Sequence, residues 1–280
     1  MTNPLHISFL HNSGTVLQTS DGKNVEVWEL RHTNNNTVLT AWAKHFREHY
    51  CSDSEIDSMR NGPRLSRKNY LLNIKFPDRQ QAPGPSVRSG DFGEILVSDF
   101  LEFILNYEVL SRRTRYSNKT NRNESTKGSD VIGFRFADQT YTNPADELAI
   151  FEAKAKFTGE AVKSENGTIS TRLQDAIDDS GKDRLRIAES LNAMKQRFFD
   201  KGMTDEVFKI ERFESEADNP YRTAYGAVAL VCNSNYSNAI AGDANTGSHP
   251  NNTTLRLIII KGADMMNLVH NLYQRAADEA

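Results

Sequence analysis

One short stretch of the chain combines apolar residues with charged side chains in an order that could do chemistry. Residues 148–157 are Leu-Ala-Ile-Phe-Glu-Ala-Lys-Ala-Lys-Phe, and side chains alternate between faces along a β-strand. Glu152 and Lys154 would then rise from one face, roughly 6–7 Å apart. Charges inside an apolar strand are costly unless they are paired or functional. A carboxylate suits Mg²⁺, and an ammonium can polarise a water or stabilise charge on a phosphate.

A second carboxylate is needed, because one carboxylate alone binds Mg²⁺ poorly. Asp130 lies near the start of the preceding predicted strand, residues 129–136. Adjacent strands lie about 4.8 Å apart, so Asp130 and Glu152 can converge if the register allows. The sequence therefore predicts a metal site at Asp130 and Glu152, with Lys154 beside it.

Three further polar residues lie on or next to this pattern. Glu94 belongs to the upstream predicted helix, on a face that also carries Ser98, Glu102 and Asn106 and is typical of an exposed surface. Gln174 opens the next predicted helix, where a surface position is the plain interpretation. Lys156 shares the predicted face of Lys154, where it could contact a phosphate or be solvated.

The region from residue 111 to 135 is strongly basic. Its local charge is +5 in a chain whose net charge is −3. Its basic residues are Arg112, Arg113, Arg115, Lys119, Arg122, Lys127 and Arg135. Such a loop could follow a nucleic-acid backbone without reading sequence, with Arg113 and Arg115 as candidate phosphate contacts. The alternative is a solvated polar loop.

The elements predicted around these residues indicate an α/β protein. Residues 1–80 form a small mixed α/β unit that could serve as a partner interface, and a proline-rich stretch at 76–86 marks the boundary. Residues 81–280 form a second domain with a central mixed sheet flanked by helices. Its predicted helices are 90–107, 170–201 (one or two helices, broken near Gly181) and 263–277, and its strands are 129–136, 146–157, 225–232 and 254–260.

Composition excludes several classes of protein. The net charge of −3 over 280 residues excludes a wholesale basic wrap for nucleic acid. The longest apolar stretch, 224–232, is too short to span a bilayer, so no membrane association is expected. No signal peptide is visible, so a cytoplasmic location is expected. Cys51 and Cys232 are predicted to be reduced thiols, and they cannot supply a cysteine-based zinc site.

A second pattern resembles a metal-binding motif. His45-Phe46-Arg47-Glu48-His49 matches H-x-x-E-H, in which two histidines on one helix face could share zinc. No apolar helix that would present a third ligand is evident. The sequence therefore favours a polar helix face opposite the apolar residues of this helix, which are Val38, Leu39, Trp42 and Phe46.

The arrangement of the first set of residues resembles the PD-(D/E)xK nuclease superfamily, which has the restriction-endonuclease-like fold. The motifs are Gly93-Glu94 on a helix, Gly128-Ser129-Asp130 before a strand, and Phe151-Glu152-Ala153-Lys154 on the next strand. Ser129 stands where the superfamily motif has proline. Together with the chain length, the pattern resembles the HamA family, the nuclease subunits of bacterial Hachiman anti-phage systems.

The resemblance implies a metal-dependent DNA endonuclease with little sequence specificity. Asp130, Glu152 and Glu94 would hold Mg²⁺, or Mn²⁺ in its place, and Lys154 would position the attacking water. The resemblance also implies a position near the site for Gln174. The resemblance also implies a partner, a superfamily-2 helicase of the HamB type, that holds the nuclease in check. Two alternatives stay open: a helicase-binding regulatory subunit with a nuclease-like fold, and a nuclease that acts on RNA.

Overall fold

The computed structural model describes residues 3–110, 115–126, 128–158 and 172–280. The strands are β1 (Leu10–Gln18), β2 (Asn24–Leu30), β3 (Val131–Arg135), β4 (Glu147–Lys156), β5 (Arg222–Cys232) and β6 (Arg256–Gly262). The α-helices are α1 (Asn36–Glu48), α2 (Ile56–Asn61), α3 (Arg67–Tyr70), α4 (Gly84–Phe103), α5 (Arg172–Asp200), α6 (Thr204–Glu211), α7 (Ala239–Gly242) and α8 (Met265–Asp278).

The strands form one six-stranded mixed sheet in the order β1-β2-β6-β5-β4-β3. Strands β2, β6, β5 and β4 run parallel, and the two edge strands, β1 and β3, are antiparallel to their neighbours. The central strands β5 and β6 are almost continuously apolar because helices cover both of their faces. The predicted α/β class, with helices flanking a central mixed sheet, is confirmed.

The sheet draws strands from both sides of the predicted boundary at residue 80. β2 pairs with β6, in the parallel register that sets Val27 opposite Ile259. The sequence did not indicate β1, whose residues are mostly exposed and therefore lack the apolar alternation of a half-buried strand. The division into two domains stays a prediction, and within the described structure the sheet is continuous across it.

The two faces of the sheet carry separate hydrophobic cores. On one face α4 packs with α1 and α8, against side chains such as Phe151 of β4 and Leu230 of β5. On the other face α5 and α6 cover the alternate residues, such as Ile150 of β4. Glu152 and Lys154 share the face of Ile150, so they lie on the side that α5 covers.

Two predicted helices differ from the structure. α4 begins at Gly84, inside the predicted linker, because Pro85 suits the first turn of a helix. α5 is one helix of 29 residues, so the predicted break near Gly181 is wrong. Leu173, Ile177 and Leu191 bury an apolar stripe against the sheet, and this outweighs the cost of about 1 kcal/mol for one glycine in a helix. Within the described ranges, every helix is too short or too polar to cross a bilayer.

Candidate functional site

The strand register brings Asp130 to Glu152. β3 pairs antiparallel with β4, and Val131 lies opposite Phe151. The same register carried back by one residue sets Asp130 opposite Glu152. The Asp130 Oδ2 atom accepts a hydrogen bond of 3.1 Å from the backbone N–H of Ala153. This bond fixes the carboxylate of Asp130 at the edge of β4.

The glycine at position 226 of β5 leaves room for the ring of Phe151 on β4. Gly226 pairs with Phe151, the residue before Glu152. A Cβ atom at position 226 would lie 2.3 Å from the ring of Phe151. Any larger residue would therefore displace that ring, and with it the strand that carries Glu152.

Lys154 joins the site to helix α5. Its Nζ donates to Oε1 of Glu152 at 2.7 Å and to Oδ2 of Asp179 at 2.6 Å. Burial opposes the charge on Lys154, but Glu152 and Asp179 outweigh it and raise the pKa of the ammonium above its ordinary value. Lys154 is therefore charged at neutral pH, and two carboxylates hold it.

Glu94 lies inside the protein, so the alternative of an exposed helix face is wrong for this residue. The residue is 7% exposed. A Cβ atom at Gly93 would lie 3.3 Å from both Ala155 and Leu230, which shows how closely α4 approaches the sheet. The carboxylate of Glu94 accepts a hydrogen bond of 2.8 Å from the hydroxyl of Tyr116.

Arg115 is the internal counter-ion of the site. Its Nε donates to Glu94 at 3.0 Å, and its Nη2 donates to Asp130 at 3.1 Å. The guanidinium also donates to the carbonyl oxygen of Ser129 and to the hydroxyl of Thr126. Burial opposes its charge, but Glu94 and Asp130 outweigh that cost and raise its pKa. In this arrangement Arg115 joins two predicted metal ligands and does not present its charge to a substrate.

Asp183 is a carboxylate of the site that the sequence did not indicate. It lies on α5, is fully buried, and has no well-aligned hydrogen-bond partner for either oxygen among the described residues. Burial raises the pKa of Asp183 to about 6, and the charge of Asp130 contributes to the rise. The nearby Ser129 hydroxyl and the cations Arg186 and Lys154 offset part of it. Only the packing of α5 on β4 brings Asp183 here, so no local pattern marks it.

These groups form what we call the carboxylate cluster: Glu94, Asp130, Glu152 and Asp183, with the cations Arg115 and Lys154. Burial and the charges of Glu94 and Glu152 raise the pKa of Asp130 well above its ordinary value. Burial also raises the pKa of Glu152, with Asp183 adding to the rise and Lys154 opposing it. Among these six groups carboxylates outnumber cations by four to two, which leaves an excess of negative charge within the cluster itself. A dication would relieve this repulsion, so the residues fit Mg²⁺.

An open cleft of about 550 Å³ gives access to the cluster. Its lining includes Glu94, Asp130, Glu152 and Lys154. Three carboxylates are not gathered here around one point, however. In the described ranges, one group of three potential ligands has its ligand atoms within 4.8 Å of one another, and it lies elsewhere, around Asp99. Because Arg115 bridges Glu94 and Asp130, both carboxylates are hydrogen-bonded to its guanidinium.

The remaining predicted residues that the structure describes do not line the cleft. Lys156 lines a neighbouring cavity of about 510 Å³. Gln174 accepts a hydrogen bond of 2.8 Å from the backbone N–H of Asn245, in the segment between β5 and β6. Arg113 lies outside the described residues.

The basic residues of this region that the structure describes are paired with acids of the chain or, in the case of Arg115, with the site itself. Lys119 pairs with Asp91 at 2.5 Å, Arg122 with Asp78 at 3.0 Å and Arg135 with Glu147 at 3.2 Å. The described part of the region therefore does not form the free basic loop that the sequence indicated. Two arginines of α5, Arg172 and Arg186, line the cleft instead. The sequence did not indicate them, because nothing in the local pattern ties α5 to β4.

A family model described as HamA matches residues 5–276 of the chain. The match includes the first eighty residues, which carry none of the motifs around the cleft. No curated protein matches at a significant level.

Proposed function

The chain belongs to the HamA family, and from this premise we propose that it is the metal-dependent DNA endonuclease of a bacterial anti-phage system. Membership of the family makes it a component of Hachiman defence. The observation that carries the nuclease proposal is that Glu94, Asp130, Glu152 and Lys154 line one cleft, although three separate parts of the chain supply them.

The carboxylates would bind the metal. Asp130 and Glu152 would hold Mg²⁺ or Mn²⁺, and Glu94 would assist. When bound, the ion supplies a Lewis acid for the phosphate oxygens and lowers the pKa of water. The raised pKa values of Asp130 and Glu152 support this role, because groups with strongly perturbed pKa values cluster at functional sites.

The cations of the cleft would contact the substrate and position the attacking water. Lys154 keeps its proton and can position the attacking water or contact the scissile phosphate. Arg172 and Arg186 on the cleft wall can contact the sugar-phosphate backbone, and backbone contacts carry no direct sequence information. This arrangement supports cleavage with little sequence specificity.

The helicase partner is proposed from the family resemblance. A superfamily-2 helicase of the HamB type would hold the nuclease in check. A purely regulatory, helicase-binding subunit has no need of Glu152 and Lys154, yet both are present and 2.7 Å apart. The cleavage alternative is therefore favoured.

Cleavage assays with the full-length protein test the proposal. Supercoiled plasmid DNA and single-stranded RNA of matched length are incubated with the protein in Mg²⁺ or in EDTA. Nicking of the plasmid in Mg²⁺, and none in EDTA, is expected. Cleavage of RNA alone would transfer the assignment to RNA, and cleavage of neither substrate would favour the regulatory subunit.

A double variant locates the activity. Glu152→Ala with Lys154→Ala removes an ion pair without changing the net charge, so the fold should persist while cleavage is lost. The matched control is Glu26→Ala with Arg256→Ala, which removes another ion pair between two strands of the sheet, at 2.7 Å. If the Glu152 and Lys154 double variant cuts as well as the parent, the assignment is wrong.

A further inference from the structure

Two histidines and an aspartate from three separate elements meet on the other side of α4 from the cleft residues. We call His6, His45 and Asp99 the His–Asp cluster. His6 belongs to a 3₁₀ helix, Leu5–Phe9, while His45 lies on α1 and Asp99 on α4. The two Nε2 atoms lie 2.8 Å and 2.9 Å from the two carboxylate oxygens of Asp99. One atom from each residue lies within 4.8 Å of the other two.

The cluster is deeply buried and has one opening. The side chain of Asp99 is fully buried, that of His6 is 1% exposed, and that of His45 is 22% exposed. The ring of His6 stacks on Trp42, with the planes 3° apart and the centroids separated by 4.8 Å. Burial of a carboxylate is costly unless positive charge or strong donors compensate it. The partly exposed edge of His45 offers a path from solvent.

The donor atoms differ in kind from those of the carboxylate cluster. Two imidazole nitrogens with one carboxylate oxygen suit Zn²⁺ and neighbouring transition metals, whereas Mg²⁺ prefers oxygen alone. Metal–ligand distances of about 2.0–2.2 Å put neighbouring ligand atoms roughly 3.3 Å apart. The separations of 2.8 and 2.9 Å are hydrogen bonds to the two different oxygens of Asp99. A shared ion would replace both hydrogen bonds, and side-chain rotation would have to bring both Nε2 atoms and a carboxylate oxygen around it.

We propose that His6, His45 and Asp99 bind a transition-metal dication, with Zn²⁺ as the best-fitting ion. Water would complete the coordination sphere on the side of His45. The ion would fasten the N-terminal segment and α1 to α4, the helix that also carries Glu94. The H-x-x-E-H pattern is thus used in part: His45 contributes, and its partners come from distant segments of the chain and not from His49.

Zinc titration of the metal-stripped, full-length protein tests the site. EDTA is removed by dialysis, and Zn²⁺ is added in competition with a chromophoric indicator, in the presence of excess Mg²⁺ to saturate the carboxylate cluster. We expect one Zn²⁺ per chain. Because imidazole must lose its proton to bind, the affinity should weaken as the pH falls. Replacement by Co²⁺ should give the strong visible absorption of a four-coordinate site with nitrogen ligands.

Two variants identify the ligands. His45→Gln and Asp99→Asn should each weaken zinc binding by about 100-fold or more, which is at least the loss seen when a supporting residue is removed. His11→Gln, at an exposed position of β1, and Asp130→Asn, in the carboxylate cluster, should bind zinc like the parent.

Two results would contradict the proposed zinc site. The proposal is overturned if the parent takes up no Zn²⁺ in excess Mg²⁺, or if His45→Gln binds zinc as tightly as His11→Gln. Should Asp99→Asn not fold, His45→Gln carries the test, because His45 is the most exposed of the three residues. Metal content and the Co²⁺ spectrum are measured without any cleavage assay, so the result is independent of the proposed nuclease activity.

Discussion

Helix α4 contributes to two buried clusters that differ in how the charge of a buried carboxylate is compensated. Glu94 and Asp99 are five residues apart, which is about 7.5 Å along the helix axis. In the carboxylate cluster, acids outnumber cations, and burial with mutual repulsion raises the pKa of Asp130. In the His–Asp cluster, one carboxylate receives two imidazoles. Burial is similar in both, so the balance of donors and charges decides what each can bind.

The comparison shows why an excess of like charge indicates function. In the His–Asp cluster two imidazole donors already compensate the buried carboxylate, so the proposed dication would link elements of the fold there and would not have to relieve repulsion. Carboxylates that repel one another reduce stability unless a cation joins them. In the carboxylate cluster Arg115 and Lys154 supply the positive charge that offsets the repulsion. Substitutions of these two cations are therefore the strongest tests of the difference between the two clusters.

The largest effect is expected from Arg115→Met. This change removes the guanidinium that pairs with Glu94 and Asp130 and leaves both carboxylates uncompensated. The free energy of unfolding in EDTA should therefore fall by about 3–5 kcal/mol. Urea denaturation measures it. Mg²⁺ should restore part of the loss if the cluster binds a dication. Arg31→Met, whose side chain is 60% exposed in its pair with Glu29, should cost about 0–1 kcal/mol, and an equally small loss for Arg115→Met would contradict its role.

Lys154→Met should reduce plasmid cleavage by about 100- to 1,000-fold, because a fixed charge aimed at the reacting phosphate is lost. The matched control, Lys156→Met, lies two residues along the same strand and should cut like the parent. Zinc uptake at the His–Asp cluster should be unchanged in both variants. Equal activity of the two lysine variants would remove Lys154 from the active site.

Asp183→Asn should change the pH dependence of stability. The pKa of Asp183 is raised from 3.8 to about 6, so the folded state binds this proton more tightly than the unfolded state does. Stability is therefore lost as the pH rises through this range, and the loss persists above it. The variant lacks this loss, so its unfolding free energy relative to the parent should increase by about 2–3 kcal/mol between about pH 4 and pH 7 in EDTA.

The control for this comparison is Asp243→Asn, which makes the same replacement at an exposed position and should change stability little. Denaturation midpoints recorded across the pH range supply the data. A flat difference for Asp183→Asn would mean that Asp183 does not carry the buried charge assigned to it.

The smallest effect is expected from Asp179→Asn, which acts through Lys154. Loss of this partner should leave the Lys154 ammonium less firmly positioned and slow cleavage by about 10-fold. Lys182→Ala removes the exposed lysine that binds the other oxygen of Asp179 at 2.6 Å and should cut like the parent. Equal cleavage by Asp179→Asn and the parent would make Asp179 purely structural.

Local periodicity predicted the parts of the carboxylate cluster that share one strand. The alternation in residues 148–157 indicates that Glu152 and Lys154 lie on one face, and they do. The antiparallel pairing of the two strands also sets Asp130 opposite Glu152. These features are local, since a strand repeats every two residues and a hairpin joins neighbours in the chain.

Residues that reach the site from elsewhere could not be predicted in the same way. Arg115 was expected to contact phosphate, yet it bridges Glu94 and Asp130. Asp183 was not indicated, because its position depends on α5 continuing without a break across the sheet. The catalytic roles of Asp130, Glu152 and Lys154 stay predictions that the cleavage assays will decide.

The sequence by itself determined the α/β class, the strand that carries Glu152 and Lys154, and the family to which the chain belongs. The tertiary structure alone decided which distant groups meet. His6 and Asp99 are separated by 93 positions, and their contact requires the N-terminal segment and α1 to pack on α4. The physical reason is that periodicity fixes which face of an element is apolar, whereas the choice of its neighbour depends on long-range packing across the completed sheet.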